Sequence, residues 1–432
     1  MSSTPSLPIQ SYYVRNILRL LGEVDWWLTL ATGFLIFVGL STLQYSGQAG
    51  LYYAKQMEFM WAGLVALVVG WRIPYFFWTQ RYVVTALYVL NIGLLVAVMR
   101  WGHAALGAQR WLSLGPITLQ PSEIAKLIVI FSLAAWLRIR PISSFWDIAK
   151  VAAIMLPPAI LVFKQPDLGT SLTFAAVFLG MSFWSGASLT DLLVILSPAI
   201  SLIVNALSRS LWLGYLGVLG VWLALFWRRQ SWSIWVRLGL AVVVVATNYG
   251  MGDARPHLWG LLKEYQQKRL TSFLNPYEDP RGSGYHILQS LIAIGSGGLK
   301  GTGLGHGNQS QGAFIPERHT DFIFAVVGEE LGFKISALVI LAYAVICLRA
   351  LLIAYQSRDE PAGSLIAIGV MSMFLFHVFL NIGMTMGIMP VAGVPLPFLS
   401  YGGTALIVDL IAVGLLQSIR SLNPPPRQDI WQ

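Results

Sequence analysis

The sequence predicts an all-α integral membrane protein that crosses the bilayer about twelve times, and three observations carry that reading. Hydrophobic residues fill 56% of the 432 positions and charged residues only 11%, whereas an average soluble domain is roughly 25% charged. Apolar runs long enough for a helix to cross ~30 Å of hydrocarbon, about 20 residues each, recur along the chain. Lys and Arg alternate between rich and poor connections, as in multi-pass proteins.

The runs lie near 26–45, 57–76, 82–100, 122–138, 146–164, 167–185, 190–207, 211–227, 234–250, 322–349, 364–388 and 401–420. A Ser/Pro-rich, uncharged stretch (Met1 to Gln10) opens the chain, and the first run lacks a small-residue cleavage site, so it is expected to remain as a span. One set of alternate connections holds Arg15, Arg19, Arg72, Arg81, Arg138, Arg140, Lys150, Arg228, Arg229, Arg237, Arg349, Arg358, Arg420 and Arg427; the other holds only Lys55, Arg100, Arg110, Lys164 and Arg209. This asymmetry puts both termini in the cytoplasm and the long stretch after the ninth run outside. The expected organisation is therefore a cytoplasmic segment 1–25, an N-terminal bundle 26–250, an extracytoplasmic loop 251–321, a C-terminal bundle 322–420 and a tail 421–432. Cys347 is the single cysteine and lies in an apolar run, which excludes an intramolecular disulfide and a cysteine metal site. A net charge of +9 could suit nucleic acid or anionic lipid, but the cations are scattered between runs, so topology explains them and no nucleic-acid partner is expected. Residues 210 to 250 contain no intramembrane carboxylate and read as packing.

Charged side chains inside spans cost about 2.5–3.5 kcal/mol on insertion scales and are functional candidates by default. The fourth run opens Gln120-Pro121-Ser122-Glu123-Ile124-Ala125-Lys126. Pro and Ser suit a helix start, and Glu123 three residues before Lys126 puts the two on one face, as an internal ion pair in preference to a capping carboxylate with a snorkelling lysine. Asp167, in Gln165-Pro166-Asp167-Leu168-Gly169-Thr170-Ser171, is an N-cap by spacing, and becomes a candidate supporting residue because two such motifs share one depth. Glu329, Glu330 and Lys334 follow in an apolar context that Gly332 is expected to bend, with one of the carboxylates a possible partner for Lys126. Residues 389–404 hold three prolines and three glycines and cannot form a continuous helix, so they need cover from protein or a watery cavity.

The segment from Thr271 to Asp321 concentrates the titratable residues. A loop of this kind can offer a carboxylate as a base for proton transfer and cations for a charged leaving group. Asp279, between Glu278 and Pro280, could serve as that base, although Asn-Pro and Asp-Pro near glycine also spell an ordinary turn. Arg281, Lys300, Arg318, His319 and, from an earlier connection, Arg110 are candidates to hold a phosphate-bearing group, as are backbone amides of the glycine run. That run fits neither a Walker A loop nor GxGxxG, so ATP and NAD are discounted. The metal requirement is open: pyrophosphate chemistry often recruits a divalent cation, but the histidines form no convincing ligand set. Leu288, Ile292 and Ile294 with Gln289 and Ser290 predict a short interfacial helix.

Taken in order, GAQRW (107–111), PSEIAK (121–126), QPDLGTS (165–171), DPRGSGYH (279–286), IAIGSGGLKGTG (292–303), ERHTDFIFAVVGEELGF (317–333) and MPVAGVPLPFLSYGG (389–403) resemble the SEDS family of shape, elongation, division and sporulation proteins, most of all its elongation branch. The resemblance implies a peptidoglycan glycosyltransferase that polymerises lipid II on the outer face of the plasma membrane, with an undecaprenyl-pyrophosphate-linked glycan as donor. It implies Asp279 as the catalytic aspartate, Glu123 and Lys126 as a buried ion pair, and a class B penicillin-binding protein as partner. Thr404 stands where serine is usual. Family members usually have ten spans, and the three runs between Thr190 and Gly250 read as that core plus an extra helical pair. The rival readings are a lipid II flippase, which would call for inverted repeats not seen in the sequence, and a non-catalytic scaffold.

Overall fold

The computed structural model describes residues 22–45, 49–105, 108–114, 117–226, 233–261, 267, 269, 272–273, 275–277, 284–312, 314–315 and 317–422. Its helices are α1 (Trp26–Tyr45), α2 (Ala49–Arg72), α3 (Tyr75–Trp78), α4 (Arg81–Trp101), α5 (Pro121–Leu137), α6 (Phe145–Lys164), α7 (Leu168–Trp184), α8 (Leu189–Leu207), α9 (Arg209–Phe226), α10 (Ile234–Asp253), α11 (Arg255–Leu261), α12 (Tyr285–Gly297), α13 (Asn308–Gln311), α14 (Ile323–Gln356), α15 (Pro361–Thr385) and α16 (Gly403–Leu422). Each predicted apolar run lies, among the described residues, mostly in helix, the second being broken at 73–74. Among the described residues, eight of these helices are long and apolar enough to cross a membrane; α5, α7 and the apolar stretch of α9 are shorter, and α2 carries Lys55, Glu58 and Arg72.

Local chemistry sets the helix starts. Pro121 stands in the first turn of α5, where its missing N–H costs nothing. Ser144 and Asp147 form a capping box on α6, and Asp167 caps α7 through the Thr170 N–H. Between α4 and α5 the chain forms a small antiparallel sheet in the order β1 (His103–Ala105), β2 (Ala108–Leu114), β3 (Ile117–Leu119), a feature the apolar pattern did not announce.

The chain divides into two compact units, residues 1–185 with 272–432, and residues 186–271. In the larger unit α15 packs on α14, α7 and α5, and α16 runs along α2. Glycine makes the second contact close: a Cβ on Gly414 would lie 2.3 Å from the Leu67 carbonyl oxygen, the small-residue approach that membrane helices use. At one end of this unit Asp25, 2% exposed, accepts from Arg349 and exchanges hydrogen bonds with Gln417, joining α1 to α14 and α16.

The smaller unit contains α8, α9, α10 and α11. Its interior is not purely apolar. Asn248 donates to Ser197 (2.8 Å), Tyr215 donates to the Ser197 carbonyl (2.9 Å), and Trp212 donates to Ser201 (2.7 Å), which donates to the Asn248 carbonyl. These bonds tie the three long helices together through side chains that hydrocarbon would leave unpaired.

Candidate functional site

Segments far apart in sequence meet at the other end of the larger unit. Arg110 on β2 donates to the carbonyls of Pro166 and Gln165, which ties the GAQRW strand to the turn before α7. The Gln120 N–H donates to the Thr404 hydroxyl (3.3 Å), and that hydroxyl donates to the Thr118 carbonyl (3.3 Å). The starts of α5 and α16 are thus held level.

The ERHTD turn is clamped against the last irregular linker. Ser400 donates to the Thr320 carbonyl (2.6 Å), and the Tyr401 N–H donates to the His319 carbonyl (2.8 Å). Asn381 on α15 donates to the carbonyls of Asp321 and Val394 (3.0 and 2.7 Å), and Gln56 on α2 bridges Ser400 and Gly402. The predicted irregular backbone is therefore covered by protein, as its depth requires. Glu317 (φ 48°) and Phe398 (φ 67°) both adopt the left-handed region, a conformation that costs free energy and persists only where surrounding bonds impose it.

His319 stacks on Tyr52 (centroids 4.3 Å, 19°), and Tyr52 meets Tyr401 edge-on at 4.9 Å. Burial lowers the imidazole pKa below its ordinary 6.5, with Glu317 opposing and Arg318 adding to the shift. His319 is accordingly neutral at pH 7, a hydrogen-bonding group and not a fixed cation. Arg318 beside it is half-buried; burial lowers its pKa, Glu330 counteracts, and its Nη1 has no hydrogen-bond partner among the described residues. Arg318 is thus a guanidinium with capacity to spare. Lys300 is exposed in the turn after α12.

The glycine run is stitched to a break in α14. Gly332 bends that helix at φ 74° and ψ −176°, as expected. The backbone groups released there are taken up at once: the N–H groups of Thr302 and Gly303 donate to the carbonyls of Glu329 and Glu330, and Phe333 and Lys334 donate to the carbonyls of Gly298 and Leu299. The Glu329 carboxylate accepts from the N–H groups of Gln309 and Ser310 (2.7 and 2.8 Å), capping α13. Glu330 accepts from Gly305 N–H, the Ser310 hydroxyl and Gln311. The expected pairing of one of these carboxylates with Lys126 does not form, because both are occupied by the loop. The predicted short helix is α12. It buries Ile287, Ser290, Ala293 and Gly297 against α14 and α15 and leaves Leu291 and Ile292 outward.

Deeper in the same unit, Lys126 donates to Glu123 at 2.7 Å with both side chains at most 2% exposed, so they form an internal pair and do not snorkel. The Lys126 ammonium also lies 3.4 Å from His377 Nε2, which is 3.1 Å from the Thr173 hydroxyl. Asp167 is buried, capping α7 and lying 3.5 Å from the Gln120 amide. Asp279, its neighbour Glu278 and Arg281 lie outside the described residues. Among the described residues no three His, Cys, Asp or Glu side chains converge as metal ligands. Sequence reasoning passed over Tyr52, Gln56, Asn381, His377, Asp409 and Asp25. His377 and Asp409 were detectable, since an ionisable residue within an apolar run is itself the signal.

Comparison with known proteins agrees with this arrangement. The family model FTSW_RODA_SPOVE, a cell cycle protein, matches residues 23–216 and 207–423. The chain is 39% identical to the peptidoglycan glycosyltransferase MrdB of Escherichia coli (strain K12) over 402 residues, covering 91% of this chain and 92% of that protein. It is 34% identical to the peptidoglycan glycosyltransferase RodA of Treponema pallidum (strain Nichols), over 94% and 99% of the two chains. It is 33% identical to the stage V sporulation protein E of Bacillus subtilis (strain 168), over 91% and 96%. A chain from a solved peptidoglycan synthase complex superposes with a TM-score of 0.68 at 28% identity, covering 93% of this chain and 98% of that one. The rod shape determining protein RodA of Thermus thermophilus shares the fold, with a TM-score of 0.59 at 24% identity over 92% and 96% of the two chains. The chain belongs to the FtsW, RodA and SpoVE family and is a multi-pass membrane protein.

Proposed function

We propose that this protein is a peptidoglycan glycosyltransferase that polymerises lipid II into glycan strands during cell elongation, at the outer face of the plasma membrane. The observation that carries the reading is the match to proteins of that activity over nine-tenths of both chains. The meeting of the GAQRW, QPDLGTS, ERHTD and SYGG segments at one end of the larger unit supports it. The Lys and Arg asymmetry argues that this end faces outward and that both termini are cytoplasmic.

In the reaction, the acceptor hydroxyl of lipid II attacks the anomeric carbon of the undecaprenyl-pyrophosphate-linked glycan, and the pyrophosphate departs. Asp279 takes the acceptor proton. Arg318, half-buried and with no partner for its Nη1 among the described residues, is the most suitable of the described cations to meet the pyrophosphate, helped by Arg281 and the exposed Lys300. Arg110, engaged with two carbonyls, shapes the face, and neutral His319 contributes hydrogen bonding. Glu123 and Lys126 form the charged floor beneath, and Asp167, Glu329 and Glu330 support the loops. A divalent ion, where one is bound, would help to neutralise the departing pyrophosphate. A class B penicillin-binding protein would crosslink the product.

The test is polymerisation of labelled lipid II by the purified protein, with and without such a partner. Asp279→Asn should fold normally and lose about 10²–10⁴ in rate, the usual cost of a missing general base. A fully active Asp279→Asn protein would remove the assignment.

A further inference from the structure

His377 on α15 is 1% exposed, an imidazole for which the proposed reaction has no role. The polar groups around it come from two other helices of the larger unit. Its Nε2 lies 3.4 Å from the Lys126 ammonium on α5 and 3.1 Å from the Thr173 hydroxyl on α7, while Lys126 donates to Glu123 at 2.7 Å. Thr173 itself donates to the Gly169 carbonyl at 3.0 Å. A chain of polar contacts therefore runs from the first turn of α7 through α15 to the ion pair on α5.

Donor and acceptor chemistry restricts how that chain is protonated. An ammonium only donates, so it bonds a ring nitrogen only through a lone pair, and a neutral imidazole has one nitrogen with a lone pair to give. Thr173 has a single O–H, already on Gly169, so it can meet Nε2 only by accepting. The two neighbours thus ask opposite things of Nε2. With a proton there, His377 would satisfy Thr173 and turn the positive end of its N–H toward the ammonium. With Nε2 bare, it accepts a charge-assisted bond, roughly twice as strong as a neutral one, and the charged bond decides the choice. The proton then sits on Nδ1, which is buried and has no hydrogen-bond partner among the described residues. Leaving a buried donor unpaired costs free energy, which a histidine kept for core packing alone has no reason to bear.

We propose that His377 is a positioning residue for Lys126, a neutral imidazole protonated on Nδ1 whose Nε2 lone pair takes a further N–H of the ammonium. Glu123 lies on the same helix as Lys126, three residues away, and by itself would hold the ammonium along α5. His377 draws it across toward α15 and fixes its direction between the two helices. That an ammonium so fixed aids glycan formation rests on the polymerase reading; the bond and the tautomer do not.

The experiment uses the full chain in lipid nanodiscs with isotope-labelled histidine rings, the His377 signals being assigned by their loss in His377→Gln. Ring-nitrogen NMR distinguishes the two neutral tautomers, and the wild-type protein should show a protonated Nδ1 and a bare Nε2. The double variant Glu123→Gln with Lys126→Met removes both charges together and leaves neither unpaired in the core; there the proton should move to Nε2, where Thr173 accepts it. A wild-type Nε2–H, or ring signals that the double variant leaves unchanged, would overturn the assignment. Polymerisation of labelled lipid II by folded variants matched for amount tests the positioning. Gln carries a carbonyl oxygen close to the place of Nε2, so His377→Gln should keep kcat within a few-fold. His377→Leu has no acceptor, and the shorter amide of His377→Asn reaches only as far as Nδ1. Both should lose about ten-fold or more in kcat, the scale of a lost hydrogen bond to a charged group, with KM little changed. Equal losses in all three, or full activity in His377→Leu, would remove the positioning role. A wild-type protein that makes no glycan, alone or with a penicillin-binding partner, ends the polymerase reading, and the tautomer measurement still decides the bond.

Discussion

Lys126 and Glu123 illustrate how much a single position can carry. Their spacing on α5 announces a shared helix face, and the structure closes the pair at 2.7 Å in full burial. Lys126→Ala leaves Glu123 without its cation, and breaking such a pair typically costs about 3–5 kcal/mol. The expected outcome is a large loss of folded protein in the membrane, read by size-exclusion of a fluorescent fusion, beyond any loss of polymerisation. What spacing within one helix cannot carry is which other helices turn toward the pair, so His377, visible in the sequence as an ionisable residue in an apolar run, joins Lys126 only through the packing. His319 offers a prediction at the same scale. Burial lowers its folded pKa below the unfolded 6.5, so the unfolded chain binds more protons in the window between the two values and stability rises with pH there. On acidification from pH 7.5 through 6.5 and below, the melting midpoint should fall as the clamp between His319, Tyr52 and Tyr401 takes up a proton. The His319→Asn variant should show a shallower dependence, and equal slopes would remove His319 as the cause.

The break in α14 is the instructive element. A glycine within an apolar run bearing Glu329, Glu330 and Lys334 predicts a bend, and Gly332 provides it in a backbone region that other residues scarcely enter. A Cβ there would lie 2.2 Å from the Gly301 nitrogen, so Gly332→Ala confronts both strain and a backbone collision. Such backbone strain alone is worth about 1–3 kcal/mol. Amides of residues 298–303 should exchange hydrogen faster in the variant, and polymerisation should fall with them. Glu329→Gln tests the other half of the stitch: the amide keeps one acceptor oxygen where the carboxylate offered two, so α13 loses a charge-assisted cap. Proteolytic nicking near 305–311 should then increase while α14 stays protected. The destination of these carboxylates was not legible in the sequence, because acceptors for loop amides depend on where the loop folds back. The small sheet before α5 was missed for a related reason. Its strands are short, and their pairing is a local backbone matter that a window tuned to 20-residue runs does not register.

At the scale of the molecule, the helix count and the bonding pattern constrain one another. In the larger unit the start of α5, the turn before α7, the ERHTD turn and the linker before α16 are bonded together at one end. The chain leaves α7 at Ser185, whose carbonyl accepts from Ile142 in the connection between α5 and α6, at the opposite end. Between Ser185 and α12, whose Ser290 donates to the carbonyl of Thr385 at the close of α15, the sequence carries three apolar runs, the helices α8, α9 and α10, and an odd number of crossings is expected between those ends. This parity was accessible from the apolar runs alone; the face that looks outward rests on the Lys and Arg asymmetry. A cysteine at Ser283, in a variant with Cys347 replaced, should therefore react with a membrane-impermeant maleimide added to intact cells. A cysteine at Ser143, between α5 and α6, should react only after lysis. The reverse pattern would turn the whole chain over and put Asp279 on the cytoplasmic side, where a polymerase of exported precursor has no substrate. Labelling of both positions in intact cells would mean that the crossings between Ser185 and α12 are even in number, against the three helices counted there.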